Sequence, residues 1–443
     1  MNTKQLNDEY IEIVKKHLDQ SQKDSSRLEK YLKDEADEFG FIPVDFMFAP
    51  KLFNENNKQD FQAACAMMDN ILGKVSKEYF ENPEFRKVYQ FTKLEEELIL
   101  SECNYDVFIP ISRIDIFYDE INGNYKYCEF NTDGTSGMAE EMAIADYLME
   151  SKAMEVFSSI HKVYRYNLYD IIIDAIEEAY STYKYKKENP CIAIVDFMES
   201  GVRNEFYQFQ LNFERRGYEA VIADIRNLDF DGENLWFDGK QIDLVYRRAV
   251  TGEIIEKQEQ ATTFIEAVLS GKICCIGHPR TQLAHVKEVF SVLQSKEAEA
   301  LFTAEERAYI AEHFPFTTRL RASNYDYNEV LLNRELWVIK PSDLYASKEV
   351  SIGIACSNEE WREAVENGIV NDYLLQEYIE PYKTKNCYFN KEGKLVEGFY
   401  GNMVGIYMLC GKYAGAFVRQ GANAIISASH QGFSVGTMMV DEK

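Results

Sequence analysis

The sequence predicts a mixed α/β protein of several structural units. Three observations carry this expectation. The first hundred residues show apolar positions at helical spacing. A βαβ rhythm follows Pro190, and two period-two strands flank Asn122-Gly123. A chain of 443 residues is long enough for two to four units with shared cores.

Residues 1–104 read as mainly helical, as in FQAACAMMDNILGKVSKEYF (61–80), and carry no chemical motif. Packing or partner binding is the expected role there. The pattern changes at residue 107, where VFIPISRIDIFYDE runs through INGN into YKYCEFNTDGTSG. Asn-Gly between two alternating segments is a strong hairpin signal. One helix is expected over 138–164 and another to about Tyr185, closing a unit at 105–187. Glu188-Asn189-Pro190 then breaks the helix. CIAIVDFM, a helix at 205–215 ended by Gly217, YEAVIADI and IDLVYRR form a small parallel sheet over 188–285. No GxGxxG accompanies it, so a dinucleotide fingerprint is absent. Residues 286–443 hold two strands around a loop in VIKPSDLYASKEVSIG, the strand LLQEYIEP, and Gly-turned strands to the end.

Charge narrows the function classes. Forty-eight Lys and Arg face 74 Asp and Glu, a formal net charge of −26. Such a surface repels nucleic acid and anionic lipid, so no nucleic-acid partner and no membrane is expected. An anionic substrate then needs a local basic pocket. The nine Cys include no CxxC pair and the six His show no HExxH or HxxxH spacing, so a reduced, cytoplasmic protein without a zinc site is expected. The N-terminus lacks the apolar core of a signal peptide. No apolar run approaches the roughly 20 residues of a membrane helix.

The sharpest constellation is Arg113, Asp115, Glu129 and Asn131. Residues two apart on a strand share a face, so each pair points one way. Both pairs share one face only if the hairpin loop is odd. A three-residue loop centred on Asn122 sets Asp115 opposite Glu129, and one centred on Gly123 sets it opposite Asn131. A two-residue turn sets it opposite Phe130. Two carboxylates and an amide oxygen suit Mg²⁺, and Arg113 beside them suits a phosphate or oxyanion. An exposed strand face carrying ordinary charges fits the same residues. Lys340 ends an apolar strand before a loop that holds Lys348, which suits nucleotide phosphates as well as a plain surface. LLQEYIEP suits an adenine and ribose edge or a buried strand. In FVRQGANA, Arg419 suits a transferring phosphoryl group and Asn423 a metal, or both are structural.

Taken in order, these pieces resemble the ATP-grasp superfamily, and above all the synthetase half of glutathionylspermidine synthase and related circularly permuted proteins. In that group the metal-binding hairpin precedes the nucleotide-binding lysines, as RIDIFYDE and YCEFNTDG here precede Lys287, VIKPSDLYASKEV, LLQEYIEP and FVRQGANA. IDLVYRR and HPRTQLAHVKEVF also look like its linking segments. The resemblance covers about residues 105–440. It implies a permuted ATP-grasp fold with a parallel-sheet domain ahead of the nucleotide lobes. Asp115, Glu129 and Asn131 would bind magnesium, and Arg113 would face the γ-phosphate and acyl phosphate. Lys287 and Lys340 would hold ATP phosphates, with Lys348 on the following loop. Gln376, Glu377 and Tyr378 would line the adenine and ribose site, and Arg419 would assist transfer. The implied chemistry joins a carboxylate to an amine of the amino acid, peptide or polyamine class through an acyl phosphate. Two departures stand out. DLYASKEV has no Gly where relatives carry a Gly-rich loop, and the helical N-terminus does not resemble an amidase. A non-catalytic nucleotide-binding module and an ATP-grasp phosphotransferase remain alternatives.

Overall fold

A computed structural model describes residues 2–41, 43–321, 323–343, 349–426 and 431–441. The N-terminal hundred residues form helices Thr3–Lys16, Leu18–Phe39, Glu55–Glu81, Pro83–Arg86 and Lys93–Leu100. Local chemistry sets their ends. Asn2 and Asn54 each form a capping box with the residue three positions on, and Gly40, at φ 77°, closes the second helix. In the helix Glu55–Glu81, Phe61, Ala64, Met68, Ile71, Leu72, Val75 and Tyr79 are buried, a stripe at helical spacing. That stripe shares one core with Ile114 and Ile116 of the hairpin and Val404 and Val418 of later strands. One strand interrupts the helices: Lys51–Asn54 pairs in parallel with Thr437–Asp441.

The hairpin strands Ile111–Tyr118 and Tyr125–Asn131 form one edge of a large antiparallel sheet whose other strands come from residues 383–435. An early segment thus completes a sheet built from the end of the chain. The long helix expected over 138–164 is instead two helices, Met138–Met149 and Lys152–Ile160, followed by the strand Lys162–Tyr164. Ser151 makes the break, because its side chain accepts from Met154 N at 3.2 Å and caps the second helix.

The parallel sheet orders Cys274–Ile276, Leu244–Arg247, Cys191–Asp196 and Glu219–Asp224, all parallel. Helix Arg203–Arg215 is the crossover between the last two. A smaller antiparallel sheet joins Thr317–Arg319, Leu374–Glu377, Trp337–Lys340 and Ser351–Ile352. Helix Asn358–Val370 covers it with the fully buried Trp361. Among the described residues no helix is long and apolar enough to cross a membrane.

Candidate functional site

The hairpin sets Asp115 opposite Glu129 and Arg113 opposite Asn131. The expected pairing is present, but the expected odd loop is not. Near the turn Tyr118 faces Tyr125 and Ile116 faces Tyr127, which leaves an even loop. The register then shifts between Ile116 and Asp115, so that Cys128 is an extra residue, a β-bulge that restores the parity an odd loop would have given. Asp119 shapes the turn by accepting from Ile121 N at 3.0 Å, and Gly123 takes φ 74°.

Asp115 is wholly buried and its two oxygens are fully engaged. Arg113 Nε donates to Oδ1 at 2.7 Å and Arg113 Nη2 to Oδ2 at 3.0 Å. Arg419 Nη2 donates to Oδ2 at 2.7 Å and Asn131 Nδ2 at 3.3 Å. The remaining Arg113 nitrogen, Nη1, donates to the Ser136 carbonyl at 2.7 Å. This packing requires Gly405 on the neighbouring strand, where a Cβ would lie 2.6 Å from Asp115 Oδ1 and 2.7 Å from Arg113 Cδ. Asp115 therefore holds the two arginines side by side, a fixed pair of cations on one sheet face.

A cavity of 1160 Å³ opens on this face, and Arg113, Glu129, Asn131, Lys287, Lys340 and Arg419 line it. Gln376, Glu377 and Tyr378 line it too, from the strand Leu374–Glu377 and its exit. Asp115 lies behind the wall, Asn423 is not among the lining residues, and Lys348 lies outside the described residues with most of the loop 343–350. Burial works to raise the Glu129 carboxyl, but Lys287, Arg419, Arg113 and Lys340 together bring it down to about 2. Burial pushes Lys340 down to about 8; Cys128 opposes this, and Lys287 adds to it. Lys340 Nζ reaches the carbonyl of the bulge residue Cys128 at 3.4 Å, which ties the small sheet to the hairpin. The backbone of Lys287 donates to Ser342 O at 2.8 Å, so both lysines flank one strand end. The Gln376 amide is held by Thr317 Oγ1 at 2.8 Å, and the Glu377 carboxylate accepts from Phe316 N at 3.2 Å. Their side chains thus brace the strand. Among the described residues no three His, Cys, Asp or Glu side chains form a group that could hold a metal ion.

The cavity extends to the carboxyl ends of the parallel strands, where open α/β sheets place crevices. The arginines of IDLVYRR are committed there. Arg247 is buried against Asp133 and the carbonyls of Gly277 and Ala249. Arg248 pairs with Glu205 at 2.6 Å and donates to Tyr246 Oη at 2.8 Å. Glu205 also caps the helix after the hairpin, accepting from Gly137 N at 2.8 Å. Arg280 binds the carbonyls of Tyr105 and Val107. All three are structural clamps.

Sequence reading passed over Glu140 and Ser434, which line the cavity beside Arg419. Ser434 Oγ donates to Glu140 Oε2 at 2.8 Å across 294 residues of chain. Glu140 stands in the first turn of a helix, where a carboxylate is ordinary, so no local signal marks it.

No protein-family model matches the chain, and no curated protein matches its sequence. A solved structure does: a glutathione synthetase-like effector, GSS30, from Globodera pallida in its apo form, with a TM-score of 0.58 and 15% identity. The alignment covers 93% of this chain and 96% of that one. The likeness is one of fold. It extends over nearly the whole of both chains.

Proposed function

We propose that the protein is an ATP- and Mg²⁺-dependent ligase that joins a carboxylate to an amine through an acyl phosphate. One observation carries the reading. Lys287, Lys340, Arg113 and Arg419 gather around Glu129 at one end of a large cavity, with Asp115 behind the two arginines, in a chain whose net charge is −26. Such a surplus of cations suits a polyphosphate. The strand Leu374–Glu377 and Tyr378 border the same end and offer a flat edge for a base. A permuted ATP-grasp arrangement is supported by the hairpin, which precedes the lysines in the chain yet completes the C-terminal sheet.

In this reading Lys287 and Lys340 hold the phosphates and Arg419 meets the group in transfer. The Nε and Nη1 groups of Arg419 form no hydrogen bond with the described residues. Magnesium fits the donor set in part. Glu129 and the Oδ1 atom of Asn131 would hold it, since neither takes a hydrogen bond from the described residues, whereas Asp115 is saturated and stands behind them. Bound there, the ion would neutralise charge on the phosphates. The saturation of Asp115 is also the observation that favours a second reading, a nucleotide-binding module without catalysis.

Hydroxylamine trapping separates the two. With ATP, Mg²⁺ and pools of carboxylic acids, a ligase yields a hydroxamate that depends on one acid, and Arg113→Ala abolishes it while ATP still binds. ATP binding with no hydroxamate and no ADP from any pool would favour the module.

A further inference from the structure

The cavity places a carboxylate where the phosphate-binding cations do not need one. Glu140 lines the wall next to Arg419, yet it forms no ion pair with any described residue. Oε2 accepts from Ser434 Oγ at 2.8 Å, and Oε1 has no hydrogen-bond partner among the described residues. Ser434 is the direct cross-strand neighbour of Arg419. Side chains so paired stand on one face about 5 Å apart at Cβ. The Glu140 carboxylate is therefore held, through one hydroxyl, beside the strand position that carries Arg419. Arg419 is fixed from behind by Asp115 and keeps Nε and Nη1 for a ligand. Burial pushes the Glu140 carboxyl up, as happens to a carboxylate without a cation in contact.

We infer that Glu140 and Arg419 form a two-headed clamp for a free α-amino acid, the acid partner of the reaction proposed above, on which this inference rests. The amino acid's ammonium bonds to Glu140 Oε1 and its carboxylate to Arg419 Nη1, which leaves Nε for the group in transfer. An anion and a cation bridged by one serine position on one cavity wall, neither paired with the other, match a molecule that carries both charges on one carbon. A peptide bound by its C-terminal carboxylate has no ammonium at that distance and leaves Glu140 unpaired. An acid without an amino group does the same. Met403, which pairs with Arg419 across the sheet, and Phe417 line the wall beside the clamp and give a side chain apolar surface.

Calorimetry with the twenty common amino acids and their N-acetyl derivatives tests the clamp without relying on turnover. At least one free amino acid binds the full chain, and its N-acetyl form binds about tenfold or more weakly, the cost of one charge-assisted contact. Glu140→Gln removes that preference while the melting temperature holds. Ser434→Ala, which frees the carboxylate to turn, weakens the free amino acid less than Glu140→Gln does. Equal binding of free and acetylated forms overturns the clamp, as does unchanged preference in folded Glu140→Gln. Binding of ATP with no amino acid bound at millimolar concentration also overturns it and leaves the ligase reading standing. Amino acid binding through Glu140 in a protein that binds no ATP upholds the clamp and removes the ligase reading.

Discussion

The two ends of the cavity use the same residue types to opposite effect. At the parallel-sheet end the two arginines that close the strand Leu244–Arg247 are matched by partners: Arg248 by Glu205 and Tyr246, Arg247 by Asp133 and two carbonyls. At the hairpin end four cations share the Glu129 neighbourhood, and only Asp115 is saturated. Charge balance, rather than the count of charged residues, distinguishes scaffold from site. A matched buried pair holds the fold, whereas a local surplus waits for a ligand.

Four changes can break or sharpen that contrast. The largest effect is expected from Arg248→Ala, which leaves Glu205 buried and unpaired and loosens the helix it caps. Chemical denaturation should show a loss of about 3–5 kcal/mol. A loss below about 1 kcal/mol would mean that the parallel-sheet end is not scaffold. Lys340→Ala is next and acts oppositely. ATP affinity should fall by roughly 1.5–3 kcal/mol, while stability at neutral pH holds or rises. The sign follows from the lysine's pKa, lowered from 10.5 to about 8. Its charged form is disfavoured in the fold, a cost fully present below pH 8 and gone above 10.5. Gly405→Ala should cost about 1–3 kcal/mol by overpacking, because the new methyl would meet Asp115 and Arg113. It should weaken ATP binding as well, since the arginine pair is displaced. The smallest signal is a proton. Phosphate should lift Lys340 back toward its ordinary range, so ATP binding at pH 8 takes up about half a proton. Calorimetry in buffers of different ionisation heat measures this. The uptake should vanish near pH 6.5 and in Lys340→Ala; uptake that persists in the variant would assign it to another group.

Legibility followed sequence distance. The alternation of Arg113 with Asp115 and of Glu129 with Asn131 is a two-residue period, and it places each pair on a face without knowledge of the partner strand. The βαβ unit was readable for the same reason, since apolar strands, a helix and Gly217 are local signals. The bulge at Cys128 was not readable, because it exists only in the pairing between strands. The cap at Ser151 was missed, although Ser at a helix break is a recognised signal; the apolar periodicity continuing past it hid the break. Glu140 and Ser434 could not be joined by any reading along the chain, since the sheet brings them together. The committed state of Arg247, Arg248 and Arg280 likewise depends on Asp133, Glu205 and backbone carbonyls supplied by other segments.

The most direct test of the central claim is the identity of the nucleotide released in acid-dependent turnover. Purified protein is incubated with ATP, Mg²⁺ and pooled carboxylic acids and amines, and the products are resolved by phosphorus NMR. Phosphates gripped at the γ end by Lys287, Lys340 and Arg419 predict ADP and inorganic phosphate, formed only when the acid is present. AMP and pyrophosphate would contradict the account, because attack would then fall on the α-phosphate.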